Sequence, residues 1–206
     1  MTTFEQLVKE RRSAKNFLPG NPITREELNE IFELVKFGPS AFNLQHPHFL
    51  VVMDPEMKEK LKHTAYGQNK IDHASAVIVV TGDKKAYQDA ARIYEGLMML
   101  GIMSKEEYEA QVNTVHSIYE KRGEQFQLEE AIRNASISAM LFMLAAKDKG
   151  WDTCPMIGFD PVAVRELLNI EEQYEIVMMI AVGKEDVTNR HPRGYRKPVN
   201  ESVTYI

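Results

Sequence analysis

Apolar positions along the chain follow two spacings, one helical and one continuous, and their succession predicts most of the elements. Phe4, Leu7 and Val8 share one face of a short helix from Met1 to Arg12, with Thr3 as N-cap and Gln6 three residues on. Thr24-Arg25-Glu26-Glu27 reads as a capping box. It precedes the stripe Leu28, Ile31, Phe32, Leu34 and Val35, and Gly38-Pro39 ends that helix. His48 to Met53 is a short apolar run of strand composition, and Asp54-Pro55 then opens a helix to about Ala65. Ala76 to Thr81 and Ile176 to Val182 lack polar alternation, which predicts strands buried on both faces. Trp151 to Phe159 reads as a strand breaking into a Pro/Gly turn, before Asp160-Pro161 starts a helix through Leu168.

Two long helical stretches lie between the second strand and Trp151. From Lys84 to Gln127, Ile93, Leu97 and Leu100 alternate with charge, and Ser104 caps a new helix. Tyr87, Tyr94, Tyr108, Tyr119 and Phe126 make the segment aromatic, which suits ordinary packing or a lid. We read residues 84–127 as an excursion over the core. From Leu128 to Lys149 almost no polar face remains, so the pattern predicts a helix buried all round. Its small residues Ala135, Ser136, Ser138 and Ala139 suit a domain centre or a subunit interface. No repeat or linker interrupts residues 1–206, and one α+β domain is expected.

Composition narrows the chemistry. The 206 residues carry a net charge of −5, so no broad nucleic-acid footprint is expected. A single cysteine, Cys154, excludes an intrachain disulfide and a cysteine metal cage, and fits a reducing compartment. The first residues lack a basic-then-apolar leader, and the low-charge run Ala135 to Ala146 is too short for a bilayer. The expectation is a cytoplasmic protein without membrane or nucleic-acid partners.

Against that acidic background, Arg11-Arg12-Ser13-Ala14-Lys15 stands out. Guanidinium forks, a hydroxyl and an ammonium suit a small phosphorylated or carboxylated ligand, although the same residues also suit a solvated helix end. A second basic set, Arg190, His191, Arg193, Arg196 and Lys197, reads mainly as a solvated run with one or two members free for binding. No GxxxxGK, GxGxxG, HExxH, CxxC or GxSxG occurs, so a phosphate here requires side chains. His46 and His48 can share one face of a strand but lack an evident third ligand, and no metal is expected. Cys154 has no nucleophile partner readable in the sequence.

The remaining polar loops, taken in chain order, resemble the FMN-dependent nitroreductase family. The resemblance runs through Arg11 to Lys15, Gly38-Pro39-Ser40-Ala41-Phe42-Asn43-Leu44-Gln45, Pro155-Met156-Ile157-Gly158-Phe159-Asp160 and Tyr195-Arg196-Lys197-Pro198. It implies a mostly antiparallel sheet surrounded by helices, an intertwined homodimer, and FMN reduced by NADH or NADPH. The small-molecule electron acceptors it implies are nitroaromatics or quinones, served by ping-pong hydride transfer. By the same resemblance Arg11, Ser13 and Arg196 hold the FMN phosphate. Arg12 and Lys15 lie along the ribityl chain and pyrimidine edge, joined there by Gln68 and Lys70. Pro39, Ser40, Ala41 and Asn43 reach the flavin from the other subunit, and Asn134 contacts it from the central helix. Pro155, Met156, Ile157 and Gly158 lie against the ring, with the N–H groups of Ile157 and Gly158 toward N5 and O4. No catalytic side chain is implied, since the flavin carries the redox chemistry. The chain departs from the family pattern at His46-Pro47 and at the bulky Phe42, both near the expected pocket mouth, and at Gly67, which leaves Gln68 to make the polar contact. A specialised dehydrogenation or dehalogenation, or a non-catalytic flavin-binding role, remains as the alternative.

Overall fold

The computed structural model describes residues 3–188 and 190–206. Four strands, β1 (Pro47–Val52), β2 (Ala76–Asp83), β3 (Asp152–Met156) and β4 (Tyr174–Gly183), form one sheet in the order β1-β2-β4-β3. Every neighbouring pair is antiparallel. β2 and β4 occupy the centre, and their residues alternate between two cores. Val77, Val79, Met179 and Ala181 point to one face, where α3 (Pro55–Thr64), α4 (Lys70–His73) and α7 (Pro161–Leu168) supply Leu61, Ile71 and Val164. Ile78, Val80, Ile180 and Val182 point to the other. That face is covered by Leu28 and Ile31 of α2 (Arg25–Val35) and by the C-terminal half of α6 (Lys105–Asp148). Cover on both sides explains why β2 and β4 are unbroken apolar runs rather than alternating ones.

The expected caps form. Thr24, Ser104 and Thr3 each close a capping box, and Asp54 and Asp160 accept from the first turns of helices that begin with Pro. The first helix, α1 (Phe4–Glu10), is shorter than the expected span to Arg12, because Arg11 leaves helical geometry as the C-cap. None of its residues is buried, and Phe4 is 73% exposed.

Two expectations about the long helical region need correction. The break between residues 127 and 128 is absent: α6 runs for 44 residues, and its one non-helical residue is Gly123, at φ 74°. The change of composition near Leu128 marks where the helix passes onto the sheet, not where a helix starts. A residue without Cβ adopts that φ at no steric cost, so Gly123 is where the kink falls. Nor is the C-terminal half buried all round. Ala135, Ala139, Phe142 and Met143 face the sheet, while Ile132, Ile137 and Met140 remain exposed.

The excursion has its own aromatic core. Tyr87, Ala90 and Tyr94 pack with Val115, Tyr119 and Phe126, spanning a 3₁₀ turn (Ala86–Asp89), α5 (Ala90–Met99) and the first half of α6. The Tyr87 and Tyr119 rings stack at 5.1 Å. No helix among the described residues is long and apolar enough to cross a membrane.

One contact fixes α6 against the sheet. At Gly82 of β2 a Cβ would lie 2.4 Å from the Ala131 carbonyl oxygen, so helix and strand backbones touch there. Gly82→Ala must push them apart, and we expect a loss of about 1–3 kcal/mol in denaturant unfolding. An unchanged midpoint would mean that the approach is not tight.

Candidate cofactor site

The basic cluster is held against the outer edge of the sheet. After α1 the chain lies along β3, where Ala14 N donates to Thr153 O at 2.9 Å and Ser13 bridges Thr153. Buried Ala14 and Phe17 anchor this segment, and Ser13 and Lys15 on either side of Ala14 are exposed. The C-terminal tail returns over it. Arg193 donates to Lys9 O and, at 3.0 Å, to Arg11 O, and Arg12 donates to His191 O at 2.5 Å. The two segments enclose a cleft of about 430 Å³ whose lining includes Arg12, Ser13, Lys15, Arg193 and Arg196.

Charge in this cleft is only partly offset. Arg190 pairs with Glu185 at 2.6 Å. Arg196 donates to its own Gly194 and Tyr195 carbonyls, and among the described residues neither it nor Arg11 has a carboxylate partner. Burial, then Arg193 and Arg196, hold the Arg11 guanidinium below its usual range. An incoming anion would stabilise the partly buried Arg11 guanidinium beside the exposed Arg193 and Arg196.

Beside the cluster lies the turn that follows β3. Pro155 sits within β3, which tolerates it as an edge strand with no partner requiring the missing N–H. Met156 is buried, whereas Ile157 beyond it is 81% exposed. Gln68 crosses from the other polar insertion and donates to Gly158 O at 2.7 Å. Lys70 stands 3.6 Å from Cys154 Sγ. Burial pushes the Cys154 thiol up, opposed by Lys70 and Arg11, so both cations lie close to it. Arg11, Arg12, Ser13, Lys15, Gln68, Lys70, Arg196 and the turn 155–158 therefore gather at the β3 side of the sheet.

Pro39, Ser40, Ala41, Asn43 and Asn134 form a separate group beside β1. Ala41 N donates to Asn134 Oδ1 at 2.8 Å, and Gln45 N donates to Ser40 Oγ at 2.9 Å. Phe42, Asn43 and Gln45 all have φ between 52° and 56°. Each non-Gly residue in that region costs on the order of 1 kcal/mol, so the loop holds its shape only through such contacts. Asn134 is 2% exposed, and its amide nitrogen is taken by Glu130 O at 2.7 Å and Glu130 Oε2 at 3.3 Å. With both ends of the amide occupied, Asn134 meets the loop rather than an open cleft. The loop lines a second cleft of about 430 Å³ with Phe32, Val35, Gly38, Ser40, Gln45 and Phe49. β1 and β3 are opposite edges, three strand spacings or roughly 14 Å apart. A single chain thus carries two groups of candidate residues that do not meet.

His46 and His48 do not share a setting. His46 is 1% exposed, with Nε2 3.2 Å from the Tyr119 hydroxyl, whereas the His48 ring lies against Tyr174 at 5.1 Å. Among the described residues no group of three His, Cys, Asp or Glu side chains is placed to hold a metal. The residues that sequence reading missed are Arg193, which ties the tail to α1, Glu130, which orients Asn134, and Tyr94, whose hydroxyl donates to Phe42 O at 2.7 Å. Their partners lie 182, 4 and 52 residues away, and only the Glu130-Asn134 spacing of one helical turn was open to inspection.

A four-stranded antiparallel sheet between helices, with a cationic cleft on one edge and a strained polar loop on the other, defines a cofactor-type α+β protein. The sequence profile of the nitroreductase family matches residues 8–184, and the chain belongs to that family of oxidoreductases. It is 63% identical over 206 residues, all of both chains, to the protein named "Putative NAD(P)H nitroreductase MhqN" of Bacillus subtilis (strain 168). The crystal structure of the protein named "putative nitroreductase ydfN" from Bacillus subtilis superposes with a TM-score of 0.97 at 62% identity, covering 98% of each chain. A protein from Exiguobacterium sibiricum 255-15 named "putative nitroreductase", crystallised in complex with FMN, gives 0.91 at 30% identity over 100% of this chain and 98% of its own.

The buried imidazole has a consequence for acid stability. Burial lowers the His46 pKa to about 4, while an unfolded chain protonates it near its ordinary value of 6.5. As pH falls through that interval the unfolded state takes up the proton first, so stability drops, by roughly 3 kcal/mol from this group. Urea unfolding of the wild type and His46→Gln at pH 7 and pH 4.5 should show a smaller loss in the variant. Equal losses would remove His46 from the account.

Proposed function

We propose that this protein is an FMN-dependent NAD(P)H oxidoreductase of the cytoplasm, acting as a homodimer with two flavin sites built across the subunit interface. The observation that carries this reading is the split site. One chain holds a phosphate-type cleft at one sheet edge and the polar loop 39–45 at the other. A second copy supplies the missing half to each.

The donor set fits FMN. Arg11, Ser13 and Arg196 would hold the dianionic phosphate, which answers the mutual repulsion of Arg11, Arg193 and Arg196. Arg12 and Lys15 would run along the ribityl chain, with Gln68 and Lys70 at the pyrimidine edge. Positive charge there favours the reduced, anionic form of the ring. The turn 155–158 brings an exposed backbone beside the cluster, suited to a flat ligand. Loop 39–43 would complete the site of the other subunit, with Asn134 behind it as support. FMN bound there would supply the hydride chemistry of a ping-pong oxidoreductase, with NADH or NADPH as reductant and a nitroaromatic or quinone as acceptor. The chain's own contribution is binding, orientation and charge, so no side-chain acid or base is assigned.

Uncovered apolar surface supports the dimer. Phe4 and Val8 of α1, and Ile132, Ile137 and Met140 of α6, face outward. The outer edge of β1 is lined by an apolar groove that includes Leu50, Val51 and Leu168, and the tail exposes Val199, Val203, Tyr205 and Ile206. An open strand edge and an extended apolar tail are surfaces that intertwined subunits can exchange.

The purified protein should be yellow and should oxidise NADH or NADPH with a nitroaromatic or quinone acceptor. Arg11→Ala and Arg196→Ala should each weaken FMN binding about 10- to 100-fold, as loss of a charge-assisted bond implies, and activity should fall with bound flavin. Fluorescence titration with FMN checks this. Wild-type affinity in both variants would refute the phosphate assignment.

A further inference from the structure

Loop 40–45 is strained and is pinned from two elements. On one side Asn134 of α6, oriented by the buried Glu130, accepts from Ala41 N. On the other the pin comes from the helical excursion. Tyr94 of α5 is 8% exposed, and its hydroxyl donates to Phe42 O at 2.7 Å. Gln111 Nε2 lies 3.4 Å from the same hydroxyl and orients it as the donor toward the loop. Phe42 is the first of the three loop residues at positive φ, so this bond falls on the strained stretch itself. Buried Leu44 packs into the aromatic core of the excursion, and the Phe42 ring meets Tyr119 edge-on at 6.4 Å.

We propose that Tyr94 is a positioning residue for the flavin site: through Phe42 O it holds loop 40–45 in the shape that presents Ala41 and Asn43. The inference rests on the flavin reading above and adds a connection to it. In the dimer the loop serves the partner's flavin, so the excursion of one protomer shapes the site of the other. Tyr94 touches neither flavin nor substrate. Its effect passes through the loop backbone, where a lost bond lets residues at positive φ relax toward extended or right-handed conformations.

Tyr94→Phe removes the hydroxyl and keeps the ring in the aromatic core. Tyr87→Phe is the control, since the Tyr87 ring stacks on Tyr119 without bonding to the loop. In Tyr94→Phe we expect FMN to bind roughly 5-fold more weakly by fluorescence titration, the value of one ordinary hydrogen bond. Hydrogen exchange at the amides of Ala41 and Gln45 should accelerate, and Tyr87→Phe should match the wild type in both measurements. Thermal melting of the flavin-free proteins separates positioning from bulk stability. A lowered melting temperature in Tyr94→Phe with wild-type FMN affinity would make Tyr94 a packing residue and overturn the proposal. Unchanged affinity and unchanged loop exchange would overturn it too. A wild-type protein that binds no FMN would overturn the flavin reading itself, a result distinct from equal binding by wild type and variant.

Discussion

Burial of β2 and β4 on both faces is the constraint from which the rest follows. Two central strands without a solvent face require a helical layer on each side, and that need sets the places of α2 and α6 on one face and of α3, α4 and α7 on the other. The edge strands are then left to carry irregular backbone. β3 accepts Pro155 and ends in an exposed turn, and β1 is entered from a loop with three residues at positive φ. Irregular segments of this kind have no place in the middle of the sheet, where each N–H must find a ladder partner. Both groups of candidate residues are therefore peripheral, and on opposite edges.

Electrostatics distinguishes the two groups. At the β3 edge the problem is excess positive charge: Arg11 is half-buried near two further guanidiniums, and the Arg190–Glu185 pair offsets only part of the total. Arg193 spends its donors on backbone carbonyls of Lys9 and Arg11, tying the tail across the cluster instead of neutralising it. In the proposed site a bound phosphate would relieve this arrangement. At the β1 edge the problem is conformational. Ser40, Asn134 and Tyr94 each satisfy one backbone group of a loop that would otherwise relax.

The kink at Gly123 gives the two halves of α6 separate tasks. The C-terminal half packs on the sheet and presents Asn134 to the loop, while the N-terminal half joins α5 in the aromatic core that receives Leu44. The excursion and the sheet layer thus meet at one loop, in addition to being joined in sequence. In the proposed dimer that loop is what each protomer contributes to the other, and the exposed Ile132, Ile137 and Met140 lie on the helix that supports it.

Much of this was legible in the chain before any coordinates. The capping boxes at Thr3, Thr24 and Ser104, the Pro-started helices and the two continuous apolar strands form as read, because caps and burial patterns are written within a few residues. The cationic cluster was legible as well, since its members are adjacent. What only the tertiary structure decided depends on partners distant in sequence. It joined Arg193 to Lys9, Tyr94 to Phe42 and Lys70 to Cys154, and it separated Asn134 from the basic cleft. It also moved the helix break from residue 128 to Gly123, because composition reports what a helix packs against, whereas a kink depends on a single residue able to take positive φ.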